Sequence, residues 1–226
     1  MTIDKQDGPS YESIILAYIG QHPDTTKYEL AKKIRTHAHL NGIPYSTLSL
    51  WIKMMLERQE VTATKLGPTR AGLQKTGYRI TPGALHWIAD ALDTQELMTL
   101  VRQHQKSLPI SASLIERAIG STSDASKVLH AITDLKIPKK KGTFDDYFGS
   151  LLLDVLWELE FDDPDVRQEF VGSVIRAAAE ANEDVMQKRD FASSMNCIIE
   201  DESRFLANAT STLAIVKEEA EKLSRG

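Results

Sequence analysis

Between Pro44 and Arg58 the chain reads PYSTLSLWIKMMLER, a run whose side chains suit contact with a nucleic acid. The hydroxyls of Ser46, Thr47 and Ser49 can serve phosphate oxygens or base edges, and Lys53 can neutralise a phosphate. Tyr45 and Leu50 offer a ring and an apolar surface to a groove. Leu48, Ile52, Met55 and Leu56 recur at helical spacing, so the run predicts a helix with those four turned inward. Tyr45, Ser46, Thr47, Ser49, Leu50 and Lys53 then fall largely on the other side, and Ser46 and Thr47 are the expected caps behind Pro44. Taken alone, this is also the pattern of an ordinary amphipathic surface helix, so its neighbours must decide.

Bond-breaking chemistry finds little support. Six histidines, at 22, 37, 39, 86, 104 and 130, form no His-Glu-x-x-His pair. His37 and His39 are two residues apart, which turns them to different sides of a helix, and they are expected to end one near its negative pole. No glycine-rich phosphate loop, nucleophile elbow or kinase signature occurs. The single cysteine, Cys197, excludes an internal disulfide and a cysteine-rich zinc site. No enzyme, metal or cofactor is expected. Asp162, Asp163 and Asp165 lack the remaining ligands of a calcium loop and read as helix-capping residues.

The elements that must hold the Pro44–Arg58 helix can be followed along the front of the chain. Ser10 is expected to cap a first helix with Tyr11, Ile14, Ile15, Tyr18 and Ile19 as its apolar stripe, ended by Gly20 and Pro23. Asp24, Thr25 and Thr26 are alternative caps for a second, whose Tyr28, Leu30, Ala31 and Ile34 are the expected buried members. Asn41 and Gly42 supply a turn before Pro44. After Glu60 the period becomes alternating: VTATKL and GYRIT read as strands joined by the loop GPTRAGLQKT. Lys65, Arg70, Lys75 and Arg79 lie on this hairpin, where they can hold phosphates or remain solvated; the strand phase of Lys65 stays open. A further helix, PGALHWIADAL, is expected to turn Leu85, Ile88, Ala89 and Leu92 inward. Three helices, a basic hairpin and a packing helix make a winged helix-turn-helix.

IILAYIGQHPDTTKYELAKKIR resembles the opening of PadR-like transcriptional regulators, with their Tyr-Glu-aliphatic step at Tyr28, Glu29 and Leu30. STLSLWIKMMLERQEV resembles their recognition helix, and GYRITPGAL their strand-to-helix segment after the wing. The resemblance covers residues 11–92, and the broader MarR-like and archaeal winged-helix regulators share it. Thr26 and Lys27 replace the usual His-Gly, the glycine expected after the recognition helix is missing at Gln59 to Glu60, and the wing is less arginine-rich. What the resemblance implies is a dimeric, repressor-like regulator, often responsive to a small molecule.

Charge divides the chain. The net charge of −5 looks unfavourable for a nucleic-acid binder. Residues 1–92, however, hold 11 Lys+Arg against 8 Asp+Glu, and residues 93–226 hold 16 against 24. A mildly basic front and an acidic back suit DNA contact by the front alone.

In the back half, TQELMTLVRQHQKSL reads as a connector helix capped by Asp93 or Thr94. SASLIERAIG and SDASKVLHAITDLK read as short helices capped at Ser111 and Ser123, with a small core of Leu114, Ile115, Ala118, Val128, Leu129 and Ile132. They share the outline of a second helix-turn-helix but carry few exposed cations. PKKKGTF is a break, with lysines that either touch phosphate or stay solvated. Tyr147, Leu151, Val155 and Leu159 form a core stripe beside which Phe148 and Trp157 could line an effector pocket. From Pro164 onward a long helix carries Val166, Phe170, Val174, Ala178, Ala181 and Val185. In the last helix, Ile199, Leu206, Ala209, Leu213, Val216, Ala220 and Leu223 follow a coiled-coil-like seam, able to pack within the chain or against a second copy; pairing is favoured because a dimer reads two half-sites.

The expectation is therefore a mainly α protein: an N-terminal winged helix-turn-helix with a two-stranded wing (10–92), a connector helix with short helices (93–137), and an α-helical dimerisation or effector domain (138–226). It would bind double-stranded DNA as a cytoplasmic homodimeric transcriptional regulator, with a small-molecule effector as a further partner and no membrane. The alternative is a protein-interaction adaptor docking through its acidic helical half. A replication-origin or plasmid-partition role would use the same fold.

Overall fold

The computed structural model describes residues 9–36, 40–68, 72, 74–133, 135 and 159–182. The protein is mainly helical with one small antiparallel sheet. Its helices are α1 (Tyr11–Gln21), α2 (Lys27–Thr36), α3 (Tyr45–Glu57), α4 (Leu85–Ile88), α5 (Thr94–His104), α6 (Ala112–Gly120), α7 (Ala125–Thr133) and α8 (Pro164–Ala181). The strands are β1 (Thr25–Thr26), β2 (Val61–Pro68) and β3 (Gln74–Ile80), in spatial order β1-β3-β2.

The sheet has three strands where two were expected. Thr25 and Thr26, read only as caps, pair with Tyr78 and Gly77 of β3. A glycine at 77 is what allows this, since a Cβ there would lie 2.6 Å from the Asp24 carbonyl oxygen. Thr26 also caps α2, its hydroxyl accepting from the Glu29 amide while Glu29 accepts from the Thr26 amide. The two partners thus satisfy each other's free groups as a capping box. The strands extend further than the alternation suggested, taking in Gly67, Pro68 and Gln74 to Thr76 of the expected loop.

Helix starts follow their sequence signals in most places. Ser10 caps α1, Ser111 caps α6, Asp163 caps α8, and Asp93 forms a capping box with Glu96 on α5. Two expected caps fail. The N-cap of α3 is Pro44, with no side-chain bond, and Ser46 and Thr47 lie inside the first turn. Extended geometry at Pro44 starts the helix there, too early for either hydroxyl to reach back. At α7 the cap is Asp124, whose Oδ1 accepts from the Lys127 amide at 2.9 Å, so Ser123 is displaced by one residue. PGALHWIADAL is a single α turn between two 3-10 turns instead of a continuous helix. α1 continues through buried Gly20, where a Cβ would lie 2.9 Å from Ile80 Cδ1.

One apolar core runs from Ile15, Leu16 and Ile19 of α1 through Leu48, Ile52 and Met55 of α3 to Leu85, Leu100, Ile115, Leu129 and Phe170. α4 packs on α7, and α6 on α8. The expected small core of α6 and α7 is buried throughout. Ser121 ties α6 to the segment before α8, its carbonyl accepting from Asp162 and its hydroxyl from Asp163. Two expected core residues are on the surface: Tyr28 is 75% exposed and Tyr11 44%. In their place Leu16 and Ala17 are buried, because the buried arc of α1 is wider than a single stripe. Among the described residues no helix is long and apolar enough to cross a membrane.

Candidate nucleic-acid interface

α3 buries Leu48, Ile52 and Met55, which fixes what its other side offers. Ser46, Leu50, Lys53 and Glu57 fall at i, i+4, i+7 and i+11 on one exposed face. Leu50 is 55% exposed and Tyr45 50%. Thr47 and Ser49 are half-buried. The Ser49 hydroxyl donates to the Tyr45 carbonyl at 2.9 Å, which leaves its lone pairs as the free function. Lys53 stands 3.6 Å from Glu57 in a largely exposed pair, a weak tie that a phosphate can replace. Lys27 of α2 lies 5.0 Å from the centroid of the Tyr45 ring, adding a cation beside the start of α3. Lys32, Lys33 and Arg35 are exposed on α2.

α3 ends in a way that explains its missing glycine. The Glu60 amide donates to the Met55 carbonyl at 2.9 Å and the Gln59 amide to the Leu56 carbonyl at 3.2 Å, the two bonds of a Schellman turn. Gln59 takes the left-handed conformation, with φ of 60°, at the position a glycine usually fills. β2 then starts at once. The Thr81 amide and hydroxyl donate to the Glu60 and Gln59 carbonyls at 2.8 and 2.7 Å, closing the base of the hairpin against the end of α3.

Strand register divides the hairpin's cations. Lys65 pairs with Thr76, Leu66 with Lys75 and Thr62 with Arg79. Lys75 and Arg79 therefore share one face and Lys65 points from the other. Arg79 is engaged: its Nε donates to Asp24 Oδ1 at 2.8 Å, and its Nη2 to Oδ2. Hydrogen bonding to Arg79 holds the Asp24 carboxyl below the usual carboxylate range. Glu29 is likewise lowered, first by its bonds to the Thr26 amide and hydroxyl and more weakly by the charge of Lys75. The face carrying Lys75 and Arg79 is thus partly neutralised by the chain itself. Among the described residues, neither Lys65 nor Lys75 is in an ion pair.

Of the residues expected to meet DNA, the structure gathers Tyr45, Ser46, Thr47, Ser49, Leu50 and Lys53 on α3 and sets Lys65, Lys75 and Arg79 on the adjoining hairpin. Arg70 lies outside the described residues. So do the expected dimerisation residues Ile199, Leu206, Ala209, Leu213, Val216, Ala220 and Leu223, the lysines of PKKKGTF, His37, His39, Cys197, and the Phe148 and Trp157 pocket. No protein-family model matches the chain, and no curated protein does. Three features are not legible in the sequence: the exposed Tyr28 ring, the Asp24–Arg79 pair, and a buried carboxylate at Glu60. Asp24 and Arg79 are 55 residues apart, and only strand pairing brings them together. Among the described residues no three His, Cys, Asp or Glu side chains cluster as metal ligands.

Proposed function

We propose that the chain is a sequence-specific, double-stranded-DNA-binding transcriptional regulator. In this reading α2 and α3 form a helix-turn-helix, β2 and β3 its wing, and the working species is a homodimer. The observation that carries it is the exposed side of α3: from Tyr45 to Leu56 the helix holds no acidic residue, and it turns hydroxyls, a ring, Leu50 and Lys53 to solvent directly beside a hairpin with exposed Lys65 and Lys75. A carboxylate on that side would oppose the phosphates, and the first one, Glu57, comes only in the last turn. Ser46 and Tyr45 would probe bases or nearby phosphates, Leu50 would meet a thymine methyl, and Lys53, Lys65 and Lys75 would hold the backbone.

Selection from a random duplex pool, followed by titration at several salt concentrations, tests this. An enriched motif and an affinity falling with salt are expected, and Ser46→Ala should alter the selected motif more than the salt slope. No duplex binding at low salt would overturn the reading. One observation favours a second reading: Tyr28, Tyr45 and Leu50 are large apolar surfaces exposed on α2 and α3, as at protein contacts. Binding of a protein partner lost on Leu50→Ala, with no duplex binding, would select an adaptor instead.

A further inference from the structure

The Schellman turn after α3 carries an unusual residue. The second position past such a helix end commonly holds an apolar side chain packed back on the helix. Here it is Glu60, only 5% exposed. Its Oε2 has no hydrogen-bond partner. Its Oε1 is 3.8 Å from Arg58 Nη1, beyond hydrogen-bond range, because the same guanidinium nitrogen is drawn to Glu12 Oε2 at 3.0 Å. One arginine thus serves two carboxylates, and Glu60 is the one left short. A buried carboxylate in this state calls for a donor or a cation.

Glu60 lines an open groove of about 790 Å³ between the end of α3, the start of β2 and the α4–α7 pair. Leu56, Arg58, Val61 and Gly83 contribute to its walls. So does Trp87, which is 49% exposed. His86 and His130, rings edge to face at 4.9 Å, line it too. The volume is that of a small-molecule site. An aromatic face and a carboxylate short of a donor on one groove match a planar organic cation, whose N–H groups would bond Glu60 Oε1 while Arg58 stays with Glu12, and whose ring would lie on Trp87.

We propose that this groove is a binding site for a small aromatic cation of the amine or amidine class, anchored by Glu60 and walled by Trp87. A bound cation touches both the end of α3 and the first residues of β2. Resting on the DNA-binding reading above, its occupancy shifts duplex affinity, because it favours one relative placement of helix and hairpin.

Fluorescence titration of the full chain with p-aminobenzamidine tests the site without DNA. Saturable binding in the millimolar to high micromolar range is expected, displaced by benzamidine and not by its neutral analogue benzamide. Glu60→Gln should weaken it at least about tenfold, the size of one charged hydrogen-bonded contact. Trp87→Ala should weaken it less. Circular dichroism and a denaturation midpoint confirm that both variants are folded. Absence of saturable binding, equal displacement by benzamide, or unchanged binding by Glu60→Gln would each overturn the proposal. A second titration measures duplex affinity with and without saturating benzamidine. If the probe binds and duplex affinity does not move, the coupling is wrong and the site stands; if no duplex binds at all, the DNA reading has failed independently.

Discussion

Two carboxylates flank the same hairpin and meet opposite fates. Asp24, on the β1 side, is exposed enough to keep its water and holds Arg79 to itself, so its carboxyl titrates lower than usual. Glu60, at the start of β2, is buried and shares Arg58 with Glu12. Desolvation is the largest influence and pushes its carboxyl upward, against the opposing pull of Arg58. A nearby guanidinium alone therefore does not decide the direction; whether it is shared, and what water remains, does. The difference also separates roles. Asp24–Arg79 is a brace that removes a cation from the set proposed to meet DNA, whereas Glu60 is a buried carboxylate, one oxygen without a partner, that lines a groove.

The largest expected effect comes from breaking the Asp24 side. Gly77→Ala places a methyl 2.6 Å from the Asp24 carbonyl oxygen and 2.9 Å from its Cα, backbone atoms that cannot rotate away. β1 must then leave β3, taking Asp24 from Arg79. A loss of about 2–3 kcal/mol is expected from chemical denaturation, the upper range for overpacking. The Asp24 carboxyl, followed by NMR, should return to the ordinary range while Glu60 keeps its raised value. If both carboxyls move together, the two ends of the hairpin are not independent.

Glu60→Gln attacks the other side. A carboxyl whose folded pKa is raised contributes stability that is present below its unfolded value and lost as pH rises through the folded value. Above that folded value, where Glu60 is ionised, its burial is thus a liability. Its replacement should raise stability by about 1 kcal/mol there, roughly the cost of one unsatisfied buried polar group. The gain should disappear in acid, where wild-type Glu60 is protonated. Denaturation midpoints across pH 4 to 8 measure it.

Much of this architecture was legible in local sequence, and the exceptions have physical reasons. The inward faces of α3, α6 and α7, and caps such as Ser10, Asp93, Ser111 and Asp163, follow from spacing and side-chain chemistry within one turn. β1 was invisible because two threonines carry no period, and its partner lies some fifty residues on. Tyr28 reads as core by its hydrophobicity, yet two residues before Leu30 and six before Ile34 it falls on another side of α2 from that buried pair. At the candidate interface, the α3 residues could be chosen from helical phase alone. The separation of Lys65 from Lys75 and Arg79 needed the strand register, and the occupancy of Arg79 needed β1.

Asp24→Asn tests whether that occupancy matters. Asparagine tolerates the left-handed conformation that Asp24 adopts, with φ of 66°, so the corner should persist while the ion pair is lost. A carboxyl with a lowered folded pKa contributes stability above its unfolded value and loses it as pH falls through the folded one. The variant should therefore lose the acid-dependent part of the wild-type stability profile contributed by this group. On the DNA reading, freed Arg79 should tighten duplex binding several-fold and steepen the salt slope by about one ion. An unchanged salt slope would place Arg79 away from the phosphates.

The smallest effect is expected at the corner that sends Glu60 inward. Asp24 sits at its own left-handed corner with a side chain suited to it; Gln59 holds φ of 60° with none of that excuse. Gln59→Gly relieves a left-handed strain of about 1 kcal/mol and gives back somewhat less through the freer unfolded chain. The net gain should be about 0.5 kcal/mol. Because the Gln59 contribution to the hairpin base is its carbonyl, which receives the Thr81 hydroxyl, the bond at 2.7 Å survives the change. The Glu60 titration should then be unmoved. A Glu60 carboxyl that falls back toward its usual range in Gln59→Gly would mean that the Gln59 side chain, and not the groove's own walls, keeps water from the carboxylate.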